Sequence, residues 1–569
     1  MRLATLIVVA VVVGFVSFGL FSRPQVKNAD STEFSAERVA RDIEVISRQH
    51  HSVAHPEERG QVRDYLVERL NGLGADTVKL FEHKALTGPE NKHVTYTFDA
   101  TNILAEFSPK HSESTPKLML VAHYDSRYSQ PMPKQDTVWS YGAADDGYGL
   151  GVALEATTLA LKYRDEWQQG VKILFTDAEE VGMKGMKALW DNNRSEFDDV
   201  GLVINIEARG PYGPALLFET APGNERLMEL YAAAANYPYT YSLTTVVYGF
   251  MPNFTDFTII KDSVPGLNFS TVADINHYHT DKDNYSNINL RSIQHYGAQI
   301  TPIMRRYLTN KQYSDPDSLR GQADTVNFTI PGLGLFNFSK STYWVINIVV
   351  FVLFIAMLAV EVMRGRGQLK KVFIAALKTL AWGICGLILG EAIAWLSCLI
   401  SGAQFKPFGV VQGVVGDNVI MALSMALIIA IVAMLYLRQR RSIARQTSGS
   451  VRASAADVAM AINANNALYG ALLTMLVFAA VMVVAISENL MFLIPLTAAT
   501  LSLILYRLTG LREWCLVGIA LTLLHALSFL YTLAMALTIG AFGAVVMLAL
   551  FDLMMLIPLV DVYVRKRGN

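Results

Sequence analysis

The chain has 569 residues, of which 52% are hydrophobic and 17% are charged, and its formal net charge is −1. This length exceeds one ordinary domain, and the apolar balance indicates a membrane protein. A net charge near zero gives no reason to expect nucleic acid as a partner. The three cysteines, Cys385, Cys398 and Cys515, all lie in apolar segments of the second half. The polar part of the chain therefore contains neither a disulfide nor a thiolate metal site.

The amino terminus is apolar from Leu3 to Phe21 and is followed by Arg23 and Pro24. Such a run is long enough to cross a bilayer. A cleaved signal peptide is the alternative, but the run has no convincing small-residue cleavage site. We therefore predict that residues 1–23 form an uncleaved transmembrane anchor.

Residues 24–340 have the composition of a soluble domain. Strand and helix patterns alternate through this region, which predicts an α/β fold with a mainly parallel mixed sheet and helices on both faces. The predicted elements outside the motifs described next are a helix at Ser35–Ser47 capped by Ser35, a helix at Pro56–Leu73 ending at Gly74, strands near Lys79 and at Asn102–Phe107, and a helix at Tyr148–Tyr163.

Three apolar runs in this domain end in side chains that bind metals. Runs of this kind indicate buried strands, and open α/β sheets place their sites beyond the carboxyl ends of the strands. Two further clusters of the same chemistry occur in segments without a strand pattern. We expect all five to converge: Leu118–Ala122 before His123-Tyr124-Asp125, Val171–Thr176 before Asp177-Ala178-Glu179-Glu180, Leu202–Ile206 before Glu207, Gly142-Ala143-Ala144-Asp145-Asp146, and His277-Tyr278-His279.

Imidazole and carboxylate ligands without thiolates suit zinc or a similar divalent ion. Two histidines and three carboxylates exceed the needs of one catalytic zinc, whereas two ions that share a carboxylate use the whole set. Each motif alone has an ordinary explanation as a surface pair or a turn, so the metal prediction depends on their joint occurrence. The predicted arrangement has one ion on His123 and Glu207, one on Glu180 and His279, Asp145 bridging both, and Glu179 free to take a proton from water.

These motifs occur in an order that resembles the M28 family of di-zinc aminopeptidases, over roughly residues 102–300. The resemblance implies two Zn²⁺ ions per chain, the same five ligands, and Glu179 as the catalytic base. Only this resemblance favours His279 over His277 as a ligand. The chain departs from many members of the family at two positions, with Ala144 before the bridging Asp145 and with Glu207 in place of an aspartate. Neither change removes a ligand.

Five further residues are candidates for supporting roles. The resemblance implies that Asp125 orients His123, and that Tyr278 donates a hydrogen bond to the developing oxyanion. An ordinary buried tyrosine is the alternative for Tyr278. Arg209 holds a substrate carboxylate or carbonyl, or else pairs with an acidic neighbour. Asp146 adjoins the bridging ligand, and Asp256 lies in Gly249–Phe257, which resembles a family segment that lines the substrate pocket.

Residues 341–569 form a membrane domain of about seven predicted transmembrane helices. With the amino-terminal anchor, eight spans are expected. Lys and Arg are concentrated in alternate breaks between the spans, so the positive-inside rule places both termini in the cytoplasm and residues 27–340 outside it. The runs are Tyr343–Met363, Val372–Ile400, Phe408–Leu437, Ala467–Ile486, Met491–Tyr506, Trp514–Leu537 and Phe542–Val560.

Ionisable residues also fall within or beside these runs, at Lys378, Glu391, Asp417, His525 and Asp552. Charged groups at membrane depth are costly, and they mark either a pathway or an internal pair. Interhelical pairing and snorkelling to the interface are the alternative explanations. We predict no transport role from these residues alone.

The sequence thus predicts a membrane-bound zinc aminopeptidase that acts on peptides outside the cytoplasm, with the lipid bilayer as its second partner. A carboxypeptidase or a glutaminyl cyclase on the same fold, and a non-catalytic peptide-binding scaffold or transporter, are the alternatives. The compartment is the periplasm if the protein is bacterial, or a vacuolar or reticulum lumen otherwise. The oligomeric state does not follow from the sequence.

Overall fold

The structure is a computed structural model that describes residues 2–19, 24–88, 97–112, 116–127, 130–132, 135–250, 253–448 and 453–565. The chain divides into two compact units. One unit comprises Leu20–Thr329 and Leu333–Lys340, and contains every candidate site residue. The other comprises Met1–Gly19, Ile330–Gly332 and Ser341–Asn569.

A seven-stranded sheet forms the centre of the first unit, in the order β1-β2-β6-β3-β7-β9-β8. Two small two-stranded sheets accompany it, one of β10 and β11 and the other of β4 and β5. The strands are β1 (Thr77–Thr87), β2 (Thr97–Phe107), β3 (Lys117–His123), β4 (Gln130–Met132), β5 (Gln135–Val138), β6 (Gly170–Thr176), β7 (Val200–Ala208), β8 (Leu216–Thr220), β9 (Gly266–Thr271), β10 (Thr325–Ile330) and β11 (Gly334–Ser339).

The predicted mixed α/β sheet is confirmed. Its centre is parallel, since β3 pairs in parallel with β6 and β7, and β7 pairs in parallel with β9. Both edges are antiparallel, with β1 on β2, β2 on β6, and β8 on β9. The central strands β6 and β7 are buried along their whole length, which explains why their sequences are continuous apolar runs rather than alternating ones.

Helices of the first unit follow the strand order. The connection from β3 to β6 runs through α4 toward the β1 edge of the sheet. The connection from β6 to β7 runs through α5 in the opposite direction, past β3. Right-handed connections in opposite directions put α4 and α5 on opposite faces of the sheet. The helices of this unit are α2 (Ala36–Ile46), α3 (Pro56–Gly72), α4 (Gly147–Leu161), α5 (Lys184–Asn192), α6 (Glu225–Ala234), α7 (Ser242–Gly249), α8 (Asp256–Ile260) and α9 (Leu290–Thr309).

Two of the predicted helices begin and end for the expected local reasons. The Ser35 side chain caps α2 by accepting a hydrogen bond from the Arg38 amide, so the predicted cap is confirmed. Pro56 occupies the first turn of α3, where its missing N–H costs nothing, and Gly74 follows the helix with a φ of +78°. The segment Ser129–Tyr141 is rich in Pro, Gln and Ser, which predicts a loop, and this prediction was wrong in part. Ser129 lies outside the described residues, but the segment contains the hairpin of β4 and β5.

Eight helices are long and apolar enough to cross a membrane among the residues that the structure describes. The third predicted run, Phe408–Leu437, was wrong at its start, because the helix begins only at Asp417. The stretch before Asp417 is apolar, but Pro407 and the glycines at 409, 413 and 416 disfavour a helix there. The eight helices are α1 (Arg2–Gly19), α10 (Lys340–Met363), α11 (Leu369–Ser401), α12 (Asp417–Ser448), α13 (Ala453–Ile486), α14 (Leu490–Thr509), α15 (Glu513–Leu537) and α16 (Phe542–Val564).

Candidate metal centre

The carboxyl ends of the parallel strands carry the candidate ligands. His123 is the last residue of β3, and Glu207 lies near the end of β7. The turn after β6 carries Glu180. Since these three strands are parallel neighbours, their ends lie on the same edge of the sheet. Asp145 lies just before α4 and His279 lies in the segment after β9, so two loops complete the set at that edge.

The five side chains form two groups that share Asp145. In the first group, His123 Nε2 lies 3.3 Å from Asp145 Oδ1 and 3.7 Å from Glu207 Oε2. In the second, His279 Nε2 lies 3.3 Å from Asp145 Oδ2 and 3.0 Å from Glu180 Oε2. Each oxygen of Asp145 therefore faces a different histidine. Within each group the ligand atoms all lie within 4.8 Å of one another.

The donor set fits zinc. Each group offers one imidazole nitrogen and two carboxylates, which are ligands that zinc accepts and which leave room for a substrate or water. Two of the atoms are buried without a hydrogen bond in the described part of the chain, Glu180 Oε1 and His279 Nε2. His279 Nε2 is close to two carboxylates, yet its contacts do not have hydrogen-bond geometry. Buried polar atoms without partners are rare, and a cation between them would satisfy them.

Asp125 supports the centre mainly through the turn after β6. Its Oδ1 accepts a hydrogen bond from the Glu179 amide at 2.9 Å, and its Oδ2 accepts one from the Glu180 amide at 3.2 Å. Its contact with His123 runs chiefly through the backbone, since His123 Nδ1 lies 2.9 Å from the Asp125 carbonyl oxygen and 3.5 Å from Oδ1. The contact by which the Asp125 carboxylate was predicted to orient His123 is thus weaker than the contact made by the Asp125 carbonyl oxygen.

Asp146 connects the bridging residue to α4. Its Oδ1 caps the helix by accepting a hydrogen bond from the Gly149 amide at 3.0 Å, and its Oδ2 accepts one from the His123 amide at 3.3 Å. Position 149 has to be glycine, because a Cβ there would lie 2.3 Å from Asp146 Oδ2. The peptide bond between Asp145 and Asp146 is cis. These contacts fix the start of α4 against the end of β3.

His279, and not His277, faces the other ligands. His277 Nδ1 lies 3.1 Å from Asp274 Oδ2, on its own loop. His279 has a φ of +60°, a left-handed conformation that is uncommon for a residue with a side chain and is found at functional sites. The half-buried Tyr278 ring stacks on the His279 ring, with centroids 3.5 Å apart. The Tyr278 ring therefore packs against one face of the imidazole.

Three side chains that sequence reasoning gave no role also contact the centre. Arg127 Nη1 donates to the Glu180 carbonyl oxygen at 2.7 Å and lies 3.3 Å from its Oε2. Asn205 Nδ2 donates to Glu207 Oε1 at 3.1 Å. Asp283 accepts hydrogen bonds from the Ala144 amide at 2.6 Å and the Asp145 amide at 3.3 Å. Arg127 lies two residues after Asp125, and Asn205 lies two residues before Glu207. This closeness in sequence to candidate site residues could have indicated both.

Arg209 and Asp256 lie near the centre with different partners. Within the described ranges, Arg209 has no carboxylate at ion-pair distance, and its guanidinium faces the Asn253 side-chain oxygen at 3.1 and 3.2 Å once that amide is oriented to accept. The predicted alternative, an ion pair with an acidic neighbour, is therefore not formed there. Asp256 accepts a short hydrogen bond from the Thr176 hydroxyl, and its Oδ1 is buried without a partner among the described residues.

The acidic groups of the centre differ in their pKa values. Burial raises the pKa of Glu207 to about 8 against the opposing effect of His123, and Asp145 and Asp256 raise it further. Burial also raises the pKa of the Glu179 carboxyl well above its ordinary value, and its acidic neighbours add to the effect. Asp145 behaves oppositely: although burial raises its pKa, its close contacts with His123 and His279 outweigh burial and lower it. At Glu207 and Glu179 the centre is thus short of positive charge.

Comparison with known proteins agrees with this geometry. Residues 102–304 match the model of peptidase family M28, and this range contains all five candidate ligands. The chain therefore carries an M28 peptidase domain, next to helices apolar enough to span a membrane.

Two curated relatives are similar over the same region. Endoplasmic reticulum metallopeptidase 1 of Mus musculus is 25% identical over 281 residues, which are 48% of this chain and 29% of the relative. Vacuolar membrane protease of Eremothecium gossypii is 27% identical over 341 residues, which are 56% of this chain and 31% of the relative. The chain thus spans less than a third of the length of these relatives.

Solved structures of two kinds are also similar. Porphyromonas gingivalis glutaminyl cyclase has a TM-score of 0.39 and 19% identity, over 48% of this chain and 99% of that protein. A Zn-dependent exopeptidase from Parabacteroides distasonis has a TM-score of 0.37 and 20% identity, over 48% of this chain and 98% of that protein.

Proposed function

We propose that this protein is a membrane-bound zinc metallopeptidase that hydrolyses the amino-terminal peptide bond of peptides. The observation that carries the proposal is the pair of histidine–carboxylate groups that share Asp145. The M28 match and the two membrane metalloproteases among the relatives support it. A scaffold that only bound peptides would not need two such groups in one buried place.

Two zinc ions would be held by residues of this chain alone. His123, Asp145 and Glu207 would hold one, and Asp145, Glu180 and His279 would hold the other. Bound zinc supplies a Lewis acid that polarises a peptide carbonyl and makes water nucleophilic at neutral pH. Hydrogen bonds from Arg127 to the Glu180 carboxylate and from Asn205 to the Glu207 carboxylate would orient these two ligands before any ion arrives, and Asp283 would hold the backbone of Asp145.

Glu179 would move the proton in this reaction. It adjoins Glu180, its amide is held by Asp125, and it is not a member of either ligand group. Because burial raises the pKa of its carboxyl, Glu179 would accept a proton from the attacking water more readily than an ordinary glutamate does. It would then donate that proton to the nitrogen of the departing peptide. General acid–base catalysts work best when their pKa is close to the working pH.

Two residues would bind the substrate. Burial raises the pKa of the Tyr278 phenol well above its ordinary value, so this group stays protonated and can donate a hydrogen bond to the carbonyl oxygen as its charge develops. Arg209 has no carboxylate partner in the described chain, so it can hold a second peptide carbonyl. A cation here is also what a carboxypeptidase requires, and this observation makes a carboxypeptidase the second candidate.

The test compares neighbouring glutamates in the full-length protein. Glu179→Gln should keep its zinc and its KM but lower kcat by about 10²- to 10⁴-fold, because it removes the proton carrier. Glu180→Gln should lower the zinc content, because it removes a ligand. Glu229→Gln, a change of the same kind on an exposed residue of α6, is the control and should match the wild type. Tyr278→Phe in the same assay should lower kcat and leave the zinc content unchanged.

A panel of substrates settles the direction of cleavage. Peptides with a blocked amino terminus should not be cleaved, whereas peptides with a blocked carboxyl terminus should be. The reverse pattern would establish the carboxypeptidase, and cyclisation of amino-terminal glutamine would establish the cyclase. If Glu179→Gln retains normal hydrolysis or loses zinc as Glu180→Gln does, the roles of the two glutamates are wrong. A fully zinc-loaded wild type that cleaves nothing would favour the scaffold.

The peptidase unit would act on the side of the membrane opposite the cytoplasm. The alternation of Lys and Arg between the eight candidate spans supports this orientation, with both termini in the cytoplasm. In this arrangement residues 1–23 anchor the peptidase domain at 24–340, and residues 341–569 form the membrane domain. The relatives named for the endoplasmic reticulum and the vacuole support a lumenal or otherwise extracytoplasmic pool of peptide substrates.

A further inference from the structure

The membrane unit contains a cavity of about 300 Å³ between α11, α12, α13 and α16. It lies at one end of the helices, near the start of α11 and α13 and near the end of α12 and α16. The same end carries the basic segment from Arg364 to Lys371. Volumes of this size are at the lower limit for small-molecule sites.

Two lysines of α11 line the cavity without a counter-charge among the described residues. Lys371 and Lys378 are seven residues apart and therefore lie on one face of the helix, about 10 Å apart along its axis. Neither makes a salt bridge or a hydrogen bond within the described chain, and both are exposed. Lys378 belongs to a helix that is apolar enough to span the membrane, and an unpaired charge there is costly.

A buried donor is also left without a partner at this cavity. Asn466 is 2% exposed, and its Oδ1 accepts a hydrogen bond from the Gln368 amide at 2.8 Å. Its Nδ2 is buried without any hydrogen bond among the described residues. One acid, Asp561, lines the cavity, and its Oδ2 is already paired with Arg565 at 2.8 Å. Among the described residues, the cavity therefore presents two cations and an unpaired amide donor against one carboxylate, and this balance favours an anion as the ligand.

Part of the remaining wall is apolar and open to the side. Ile374 and Leu435 line the cavity with 42% and 41% of their surface exposed, and Trp382 and Val432 lie beside them. These residues are on the faces of membrane-spanning helices, where the surroundings are hydrocarbon. A ligand that matches both parts has an anionic head and an apolar tail.

We propose that this cavity binds the phosphate-bearing headgroup of an anionic membrane lipid. Lys371, Lys378 and Asn466 contact the phosphate, and the acyl chains lie along Ile374, Trp382 and Leu435. Basic pockets between transmembrane helices are the kind of site at which anionic headgroups bind. The proposal is independent of the peptidase site, because no residue of the cavity belongs to the peptidase unit.

The test uses the full-length protein in a neutral detergent, with dioleoyl phosphatidylglycerol and dioleoyl phosphatidylcholine as the probes. Bound lipid is counted by native mass spectrometry, and Tm is measured in parallel. The anionic lipid should bind and raise Tm in a dose-dependent manner, and the zwitterionic lipid should do neither. Lys378→Gln should weaken binding of the anionic lipid by about tenfold, which corresponds to about 1.4 kcal/mol.

Two variants control this result. Lys370→Gln makes the same change one residue from Lys371, on a lysine that does not line the cavity, and should leave binding unchanged. Lys378→Arg keeps the charge and should retain binding. Equal binding of both lipids, or equal loss in Lys370→Gln and Lys378→Gln, would overturn the proposal. Glycerol 3-phosphate should not raise Tm; an equal rise with this soluble ester would assign the site to a free phosphate instead.

Discussion

Asp125→Asn should impair two residues at once, because the Asp125 carboxylate holds the backbone of both Glu179 and Glu180. Asparagine has the same size and shape, so the substitution creates no cavity. It keeps one oxygen for one of the two amides, but it turns an NH₂ group toward the other. One buried backbone N–H then faces a second donor and loses its partner.

The size of the effect follows from these contacts. A hydrogen bond to a charged acceptor contributes about 1.5–3 kcal/mol to stability. The Asp125→Asn variant would lose at least one of the two such bonds that Asp125 accepts. The carboxylate also lies 3.5 Å from His123 Nδ1, so its loss removes some support for that imidazole. We expect a total of about 2–3 kcal/mol, which would lower kcat/KM by about 30- to 150-fold if all of it were expressed in activity.

The assay measures kcat/KM, zinc content and Tm on the same preparations of full-length protein. Asp125→Asn should lower all three, whereas Glu179→Gln should lower kcat alone. Asp99→Asn is the matched control, since Asp99 Oδ1 also accepts a backbone amide, from Ala85 at 2.9 Å, but its side chain is 56% exposed and its ion pair is with Lys84. Activity of Asp125→Asn within about threefold of wild type, with unchanged zinc and Tm, would refute the reasoning.

Three other predictions concern metals and membrane orientation. Asp145→Ala should lose both zinc ions, whereas His123→Ala should lose mainly one, as measured by zinc per chain; an equal loss in both would contradict the shared ligand. Because the pKa of Glu207 is raised to about 8 in the metal-free protein, zinc must displace a proton from it at lower pH, so zinc affinity at that group should fall by up to about tenfold per unit from pH 8 to pH 6. Chelator competition measures this, and a pH-independent affinity would contradict it. A reporter after Lys371 should be cytoplasmic and one before Gln135 should not; the opposite result would invert the orientation.

The parallel centre of the sheet was predictable because local sequence patterns indicate it. Continuous apolar runs such as Val171–Thr176 have to be buried on both faces, and a run of this kind that ends in ligands places them at a strand end. A strand near Lys79 was predicted and is β1, but the antiparallel pairing of the edge strands β1 and β8 was not predicted. Strand β8 pairs with β9 across the intervening helices α6, α7 and α8, and no local pattern in either strand reveals that pairing.

The ligand set was predictable by residue type, but its arrangement in the last loop was not. His277 and His279 have the same chemistry and nearly the same position in the chain. What separates them is the backbone of one residue, since a φ of +60° at His279 accompanies the approach of its imidazole to Glu180. Arg127 and Asp283 were missed for a related reason, because their contacts bridge 53 and 139 residues of sequence.

The electrostatics of the centre explain why metals and folding should be linked. Burial raises the pKa values of Glu207 and Asp256, to about 8 and about 7, so the metal-free centre retains protons near neutrality. A carboxyl whose pKa is raised by folding contributes stability at low pH, and that contribution is lost as the pH rises through the folded pKa. The metal-free unit should therefore lose stability from about pH 4, the unfolded pKa of these carboxyls, up to about pH 8, the higher of the two folded values. Bound zinc would replace these protons and compensate the negative charge of the carboxylates. The stability that zinc adds should therefore grow over the same pH range. In this respect the ions would complete the fold of the sheet edge as well as its chemistry.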